Sequence, residues 1–271
     1  MWITIRRLSA QNVNAAANPA AVGALPITAL HGAVHAALRA QGHDEAPLGL
    51  IVRAHEIMPR LVGGEGLGEG VSTTYQGRVY AKPTPEPAKL MSAPNDPLPK
   101  MDFEVSLAIE VGSAVDPDAL VQAMRMRPFC GGRCISAGAA RRFEDVEDML
   151  EEIQVSGSGL MLVDATSRLL ARAGEINDSA LAALVDLLAD PDMPPRRKMA
   201  IGIGFRMLET PVSRPDSRDP SVPHAIAEPI LGYAELHPLW HAEDEGLPLV
   251  WRAGLNRQNG YCTLKGSPLC L

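Results

Sequence analysis

The sequence predicts an α+β fold, in which strands and helices alternate along the first half of the chain. Three patterns lead to this prediction. Residues 103–111 alternate apolar and polar side chains, as in a strand with one buried face. Residues 27–38 carry apolar side chains at three- and four-residue spacing, which predicts a helix. Asp116, Pro117 and Asp118 provide an N-cap, a first-turn proline and a first-turn acid for a second helix.

In chain order, the first element is a β-type run at residues 2–5. The polar, turn-forming segment 9–14 follows it, and we expect a loop there. The first helix is expected to end near Gly42, and residues 48–52 form the next strand.

Residues 62–100 contain six glycines and six prolines, a density that helices and central strands do not tolerate. This segment is therefore predicted to be a long insertion, with a small hairpin over residues 72–80. The glycine run 63–70 lacks the Gly-Lys-Ser/Thr ending of a phosphate-binding loop and carries two acids, so we interpret it as a mobile loop. The second helix is expected over residues 119–126, and residues 134–136 form the strand that completes the unit.

The order β-α-β, insertion, β-α-β is that of a split βαβ domain, of the ferredoxin-like or RRM-like type. We assign residues 1–137 to this core, with the insertion at 62–100. Residues 138–271 are interpreted as a C-terminal elaboration of the same domain, with a helix near 178–188. Its strands are expected near residues 199–208 and 226–234, and a last segment over residues 247–263 carries scattered turn residues.

Composition limits the classes of function. The chain has 271 residues, of which 46% are hydrophobic and 21% charged, as in globular proteins. Its net charge of −7 argues against a protein that binds nucleic acid over its whole surface, although a local basic strip is compatible with it.

The cellular compartment is predicted from the number and spacing of the cysteines and from the length of the apolar stretches. The four cysteines form neither a disulfide framework nor a zinc signature, which predicts a reducing compartment. The most apolar region, residues 20–38, is interrupted by polar residues and falls short of the about 20 continuous apolar residues that span a bilayer. We therefore predict a cytoplasmic protein with no membrane contact.

Five arginines lie within eighteen residues that contain no acid and that include two adjacent glycines. Guanidinium groups beside a glycine turn can fork onto phosphates. The alternative, equally supported, is that the acidic run 144–152 pairs with them. The arginines are Arg125, Arg127, Arg133, Arg141 and Arg142.

Other candidate residues carry weaker signals. His31 and His35 share a helix face at the spacing of two metal ligands, but Gly32 stands where a metalloprotease needs glutamate. We expect neither a metal nor another cofactor, and we expect no catalytic residues. Tyr75 and Tyr80, on the predicted hairpin, are the best exposed aromatics for stacking on a base, with hairpin packing as the alternative.

Two stretches together resemble the opening of a known family. Residues 7–15 read RLSAQNVNA, and residues 29–38 read ALHGAVHAAL. Both are similar to motifs of the Csy-two family, the Cas-five-type subunit of type I-F CRISPR Cascade surveillance complexes. Shorter similarities follow in the same order at residues 49–56, 103–107, 124–132 and 231–239.

The resemblance implies an RRM-like fold with an inserted thumb and no catalytic role. It implies binding to the 5′ handle of the CRISPR RNA, pairing with the large Cascade subunit, and contact with the first backbone subunit. Target DNA would then be read by the guide RNA in the assembled complex. The chain is shorter than typical members, and residues 256–268 match only loosely, so we expect a compact variant.

The resemblance also implies the RNA-contacting residues. Amides can bond base edges or the 2′-hydroxyl, and arginines can bind phosphates, although Asn12 and Asn14 also suit a bracing role in the backbone. Gly32 and His35 match the motifs but are assigned to structure. With the neighbouring arginines and Tyr75 included, the predicted RNA-binding residues are Arg7, Gln11, Asn12, Asn14, Arg125, Arg127, Gly131, Gly132, Arg133 and Tyr75.

A second function stays open at this stage. Cas-five-type proteins of another CRISPR subtype cut repeat RNA without a metal, using tyrosine, histidine and lysine side chains. The candidates here are His31, His35 and Tyr75, which form no recognisable constellation in the sequence. An endoribonuclease is therefore the alternative to a non-catalytic subunit.

Overall fold

The computed structural model describes most of the chain. The described residues are 1–18, 21–22, 24–62, 98–155, 157–192, 194, 197–215, 220–221, 223–256 and 260–269. Tyr75 and the predicted hairpin over residues 72–80 lie outside them.

The predicted α+β class is confirmed, because the described residues form helices and one large antiparallel sheet. The helices are α1 (Ile27–Arg39), α2 (Pro117–Arg125), α3 (Val146–Gln154), α4 (Thr166–Ile176), α5 (Ala180–Ala189) and α6 (Leu239–Asp244). The strands of the first half are β1 (Trp2–Asn14), β2 (Ala16–Asn18), β3 (Ala21–Val22), β4 (Gly49–Val62), β5 (Leu98–Glu110), β6 (Arg133–Ser136) and β7 (Ala140–Phe143). Those of the second half are β8 (Leu160–Asp164), β9 (Lys198–Met207), β10 (Ala227–His237), β11 (Val250–Asn256) and β12 (Tyr261–Ser267).

The large sheet has ten strands in the order β11-β12-β9-β10-β8-β4-β5-β1-β6, and β7 also pairs with β1. Strands of the C-terminal half therefore continue the sheet of the N-terminal half, through the pairing of β8 with β4. A further contact, Trp251 opposite Leu50, joins β11 to β4 and closes six of the strands into a ring. Strands β2 and β3 form a separate small sheet.

The loop predicted at residues 9–14 is wrong, because β1 continues as one strand to Asn14. It pairs with β5 on one side and with β6 and β7 on the other. Two register shifts, after Ile5 and after Ala10, interrupt its pairing with β5. Arg7 and Asn12 have positive φ angles of 44° and 57° at these shifts. Bulges let turn-forming residues lie within a paired strand.

The N-terminal part of the sheet is covered differently on its two faces. One face packs Ile3, Leu8 and Val105 into the main core, which α1 and α2 cover. On the opposite face α3 covers one half, where Met149 and Trp2 belong to a second apolar cluster. The other half of that face carries polar side chains.

Elements of the C-terminal half agree with the sequence in part. The helix predicted near 178–188 lies at α5, and the strands predicted near 199–208 and 226–234 lie at β9 and β10. Helix α4 was not predicted. None of the helices in the described residues is both long and apolar enough to cross a membrane.

Candidate nucleic-acid interface

Polar side chains gather on the half of the sheet face that α3 leaves uncovered. Successive residues of a strand point to opposite faces. In β5, Met101, Phe103 and Val105 are core residues, so the residues between them face the other way. The same alternation applies in β6 and, apart from their bulges, in β1 and β4. We call this surface the polar face, and define it by Arg7, Gln11, Asn14, Glu56, Lys100, Asp102, Glu104 and Arg133.

Charge is divided across the polar face. Arg133 lies on β6 at one edge of the sheet, opposite Gln11 of β1. Glu56 and Glu104 lie directly opposite each other on β4 and β5. The carboxylates of the polar face therefore lie on β4 and β5, whereas its cations Lys100, Arg7 and Arg133 lie on β5, β1 and β6.

A tight turn positions the start of β6 beside the end of β1. Phe129 and Gly132 exchange both backbone hydrogen bonds, at 3.0 and 2.8 Å. Between them Cys130 and Gly131 have positive φ angles of 51° and 79°, as a type I′ hairpin turn requires. The N–H of Asn14 donates to the carbonyl of Cys130 at 2.9 Å, which fixes the turn against β1.

Both glycines of the turn lie against β1. A Cβ atom at Gly132 would lie 2.2 Å from the carbonyl oxygen of Gln11 and 2.5 Å from the carbonyl carbon of Asn12. A Cβ atom at Gly131 would lie 2.3 Å from the side-chain nitrogen of Asn14. Position 132 therefore requires glycine because backbone occupies the space, and position 131 also because of its φ angle.

The amides at the end of β1 are braced by β5. Lys100 donates from Nζ to Oδ1 of Asn14 at 2.7 Å. The N–H of Asn12 donates to Oδ1 of Asp102 at 2.9 Å. The neighbouring strand thus holds Asn14 through its side chain and Asn12 through its backbone N–H, and both side chains are exposed.

The arginine cluster divides into two groups. Arg141 pairs with Glu152 of α3 at 3.3 Å, and Arg142 donates to the carbonyl of Val115 at 2.6 Å. The remaining three arginines are exposed, and within the described part of the chain none of them forms an ion pair. We call them the basic rim: Arg125 and Arg127 at the end of α2, and Arg133 on β6. The acidic run therefore neutralises only part of the cluster.

Arg7 is held by its own chain. Its Nη2 lies 2.5 Å from Oε1 of Glu104, and its backbone N–H donates to Oγ of Ser106 at 3.1 Å. Arg7 thus lies on the polar face, with its guanidinium group paired to a carboxylate.

His55 forms a clamp that the sequence did not assign. Its Nδ1 lies 2.6 Å from the carbonyl oxygen of Ser158, which can only accept, so Nδ1 carries the proton. Nε2 therefore accepts the hydroxyl proton of Ser106, 2.7 Å away. Ser106 is 1% exposed, which excludes a substrate from its oxygen in this conformation. The hydrogen bonds of His55 to Ser106 and Ser158 thus connect β4 and β5 to the segment before β8.

Arg53 is a second unassigned group under the polar face. It is buried, and it donates to the backbone carbonyls of Ile153, Gln154 and Gly159, the last two at 3.0 and 3.3 Å. Two of these carbonyls are at the C-terminal end of α3, where a cation is favourable. Burial lowers the pKa of Arg53. Arg53 therefore fixes the helix that bounds the polar face.

The histidines of α1 take part in local contacts. Burial lowers the pKa of His31. Nε2 of His35 lies 3.2 Å from the carbonyl oxygen of Asp44. Among the described residues, no three His, Cys, Asp or Glu side chains are grouped so as to hold a metal ion.

The free energy of unfolding is expected to fall as the pH drops below about 6.5, the ordinary histidine pKa. Burial lowers the pKa of both His55 and His31 in the folded protein. At pH values between this lowered pKa and the ordinary one, the unfolded chain therefore binds more protons than the folded chain. Urea unfolding at pH 7.5, 6.5 and 5.5 measures this. The His55→Gln variant should show a shallower fall between pH 6.5 and 5.5, and an unchanged pH dependence would contradict the assignment.

Eight of the ten predicted RNA-binding residues lie on the polar face, in the adjoining turn or on the basic rim. Of the other two, Asn12 lies at the second bulge of β1, and Tyr75 is outside the described residues. Sequence reasoning missed Lys100, which contacts Asn14 and Gly131, and Glu104, which contacts Arg7. Their alternation in β5 was visible, but their partners in β1 depend on the strand register. No protein-family model matches the chain, and no curated protein is significantly similar to it in sequence.

Proposed function

We propose that this chain is a non-catalytic RNA-binding subunit of a type I-F CRISPR RNA-guided surveillance complex. In this role it binds the 5′ handle of the CRISPR RNA, pairs with the large subunit and contacts a backbone subunit. Target DNA is recognised by the guide RNA of the assembled complex.

One observation carries the proposal. Residues 7–15 and residues 124–132, which both resemble motifs of the family, are more than a hundred residues apart in sequence, yet the end of β1 and the turn before β6 are in direct contact. The arginines beside that contact are exposed and have no described carboxylate partner. Exposed cations beside a glycine turn are favourable for phosphate groups.

The finer fold is part of the same proposal. We propose that β1-α1-β4 and β5-α2-β6 are the two halves of a split βαβ domain, interrupted after β4 by the insertion. The spatial order β4-β5-β1-β6 supports this arrangement. RRM-type domains bind single-stranded RNA on the exposed face of such a sheet. The polar face occupies the corresponding surface here.

The division of charge fits a single RNA strand that lies along β1. Phosphates would lie toward the basic rim, where guanidinium groups donate charge-assisted hydrogen bonds. Bases would then face β5 and β4, where carboxylate oxygens accept hydrogen bonds from base amino groups. The amides of Gln11 and Asn14 lie between these two zones and can bond the 2′-hydroxyl. An overall charge of −7 fits a protein that binds a short RNA segment locally.

The double variant Arg125→Ala/Arg127→Ala is expected to bind RNA about tenfold more weakly than the wild type near physiological salt. The probe is a labelled RNA that carries the 5′ handle of the repeat from the source genome. Each lost phosphate contact should reduce the slope of log affinity against log salt by about 0.7, so about 1.4 in total. Fluorescence anisotropy over a salt series measures both quantities.

The matched control is Arg39→Ala/Arg206→Ala, which removes the same charge from exposed arginines away from the basic rim. This control should keep the wild-type affinity and salt slope. Equal losses in both double variants would contradict the proposed site. Cleavage of the repeat RNA by purified wild-type protein would contradict the non-catalytic role and favour an endoribonuclease.

A further inference from the structure

Arg7 differs from the basic rim in how it is held. Its Nη2 lies 2.5 Å from Glu104, and the two side chains are 51% and 26% exposed. Its backbone has a φ of 44° and donates to the buried hydroxyl of Ser106. The backbone of Arg7 is therefore fixed by this bond, while its side chain is half-exposed to solvent.

Glu104 needs a cation because of its place in the sheet. Glu56 lies directly opposite it on β4, and like charges in this position are unfavourable. Arg7 offsets that repulsion from the β1 side. The pair is partly exposed, and ion pairs in contact with solvent contribute little to stability, so a stronger anion can displace Glu104. An RNA phosphate is such an anion because it accepts two parallel hydrogen bonds from arginine.

Arg7 lies within reach of an RNA bound at the basic rim. Arg7 and Gln11 are four positions apart in β1, or about 13 Å at the usual rise per residue. Gln11 in turn lies opposite Arg133. A strand of a few nucleotides that contacts the basic rim therefore extends to Arg7.

We propose that Glu104 competes with RNA for Arg7, so that the Arg7–Glu104 ion pair lowers the affinity of the polar face for RNA. When RNA binds, a phosphate group replaces the carboxylate at the guanidinium group. A polyanion that does not also contact the basic rim gains too little binding free energy to displace Glu104. The pair thus favours ligands that cover the whole polar face. This inference rests on the proposed RNA-binding function.

The test is a double-mutant cycle of Glu104→Gln and Arg7→Ala with the labelled handle RNA. Glu104→Gln keeps the side-chain shape, and it should bind RNA about fivefold more tightly than the wild type, with a salt slope steeper by about 0.7. In the Arg7→Ala background the same substitution should give no gain. Glu56→Gln is the matched control, since it removes a carboxylate from the same face without removing a partner of Arg7, and its gain should be much smaller.

The outcomes separate the inference from the proposed function. An affinity of Glu104→Gln equal to the wild type would overturn the competition. So would a gain that persists in Arg7→Ala, or an equal gain in Glu56→Gln, because either result indicates general repulsion of RNA by the carboxylates. If instead the wild type binds no RNA, or binds it without any contribution from the basic rim, the proposed function itself fails.

Discussion

The Gly132→Ala variant is expected to lose about 3 kcal/mol of unfolding free energy, which is the upper end of the usual loss when a larger side chain is introduced at a tightly packed position. The added Cβ would lie 2.2 Å from the carbonyl oxygen of Gln11 and 2.6 Å from the backbone nitrogen of Val13. These are backbone atoms of β1, so no side-chain rotation relieves the clash. Either β6 must leave β1 or β1 must move within the core. Urea unfolding followed by circular dichroism measures the loss.

The same substitution at Gly174 provides the control. Gly174 lies inside α4, and an added Cβ there meets nothing within 4 Å. Alanine is a better helix former than glycine by about 1 kcal/mol, so Gly174→Ala should be as stable as the wild type or more stable. A Gly132→Ala variant with wild-type stability would show that the turn does not contact β1 as described. A folded Gly132→Ala variant should also bind RNA more weakly, because Arg133 moves away from Gln11.

Elements with strong local signals were predictable from the sequence. The alternation predicted for β5 is present in the structure because one face of this strand packs into the core and the other face carries polar side chains. Helix α2 begins where its capping residues predict, and the carboxylate of Asp116 accepts from the N–H of Asp118 at 3.0 Å. Local hydrogen bonds and one-sided burial are properties of short segments, so the sequence is sufficient to predict them.

Elements fixed by distant partners were not predictable. The polar residues 9–14 read as a loop, yet pairing with β5 and β6 makes them part of β1. Helix α4 has Leu169 as its one fully buried residue among those described, so its apolar pattern is weak. The N–H of its first residue, Thr166, donates to Asp164 two residues earlier, a local bond that the weak apolar pattern did not help to place. The pairing of residues 9–14, in contrast, cannot be predicted without knowing which strands are neighbours.

The candidate site was predictable as a set of residues but not as an arrangement. The amides of β1 and the arginines near the turn are noticeable in the sequence because of their density. Which arginines are neutralised depends on α3, which pairs Arg141 with Glu152 and leaves the basic rim exposed. The partner of Arg7 depends on the register between β1 and β5, in which a bulge moves one strand relative to the other. The ion pairs between strands therefore could not be predicted from the sequence alone.

The Trp251→Ala variant is expected to lose about 3–5 kcal/mol of unfolding free energy, as large-to-small changes of buried tryptophans do. Trp251 is 0% exposed, and it lies opposite Leu50 where β11 meets β4 and closes the ring. Its Nε1 donates to the carbonyl oxygen of Leu162 in β8 at 3.0 Å. One side chain thus links three strands, and alanine would leave a cavity among them together with an unbonded carbonyl.

Trp251→Phe separates the two contributions, because it keeps most of the apolar packing and loses the hydrogen bond. It should lose about 1–3 kcal/mol, the cost of a buried acceptor without a donor. Trp251 also lies outside the polar face, so folded Trp251→Phe protein should bind the handle RNA with wild-type affinity. A loss below about 1 kcal/mol in Trp251→Ala would mean that the ring closure contributes little to stability. Weakened RNA binding in a stable Trp251→Phe variant would mean that the C-terminal strands take part in the interface.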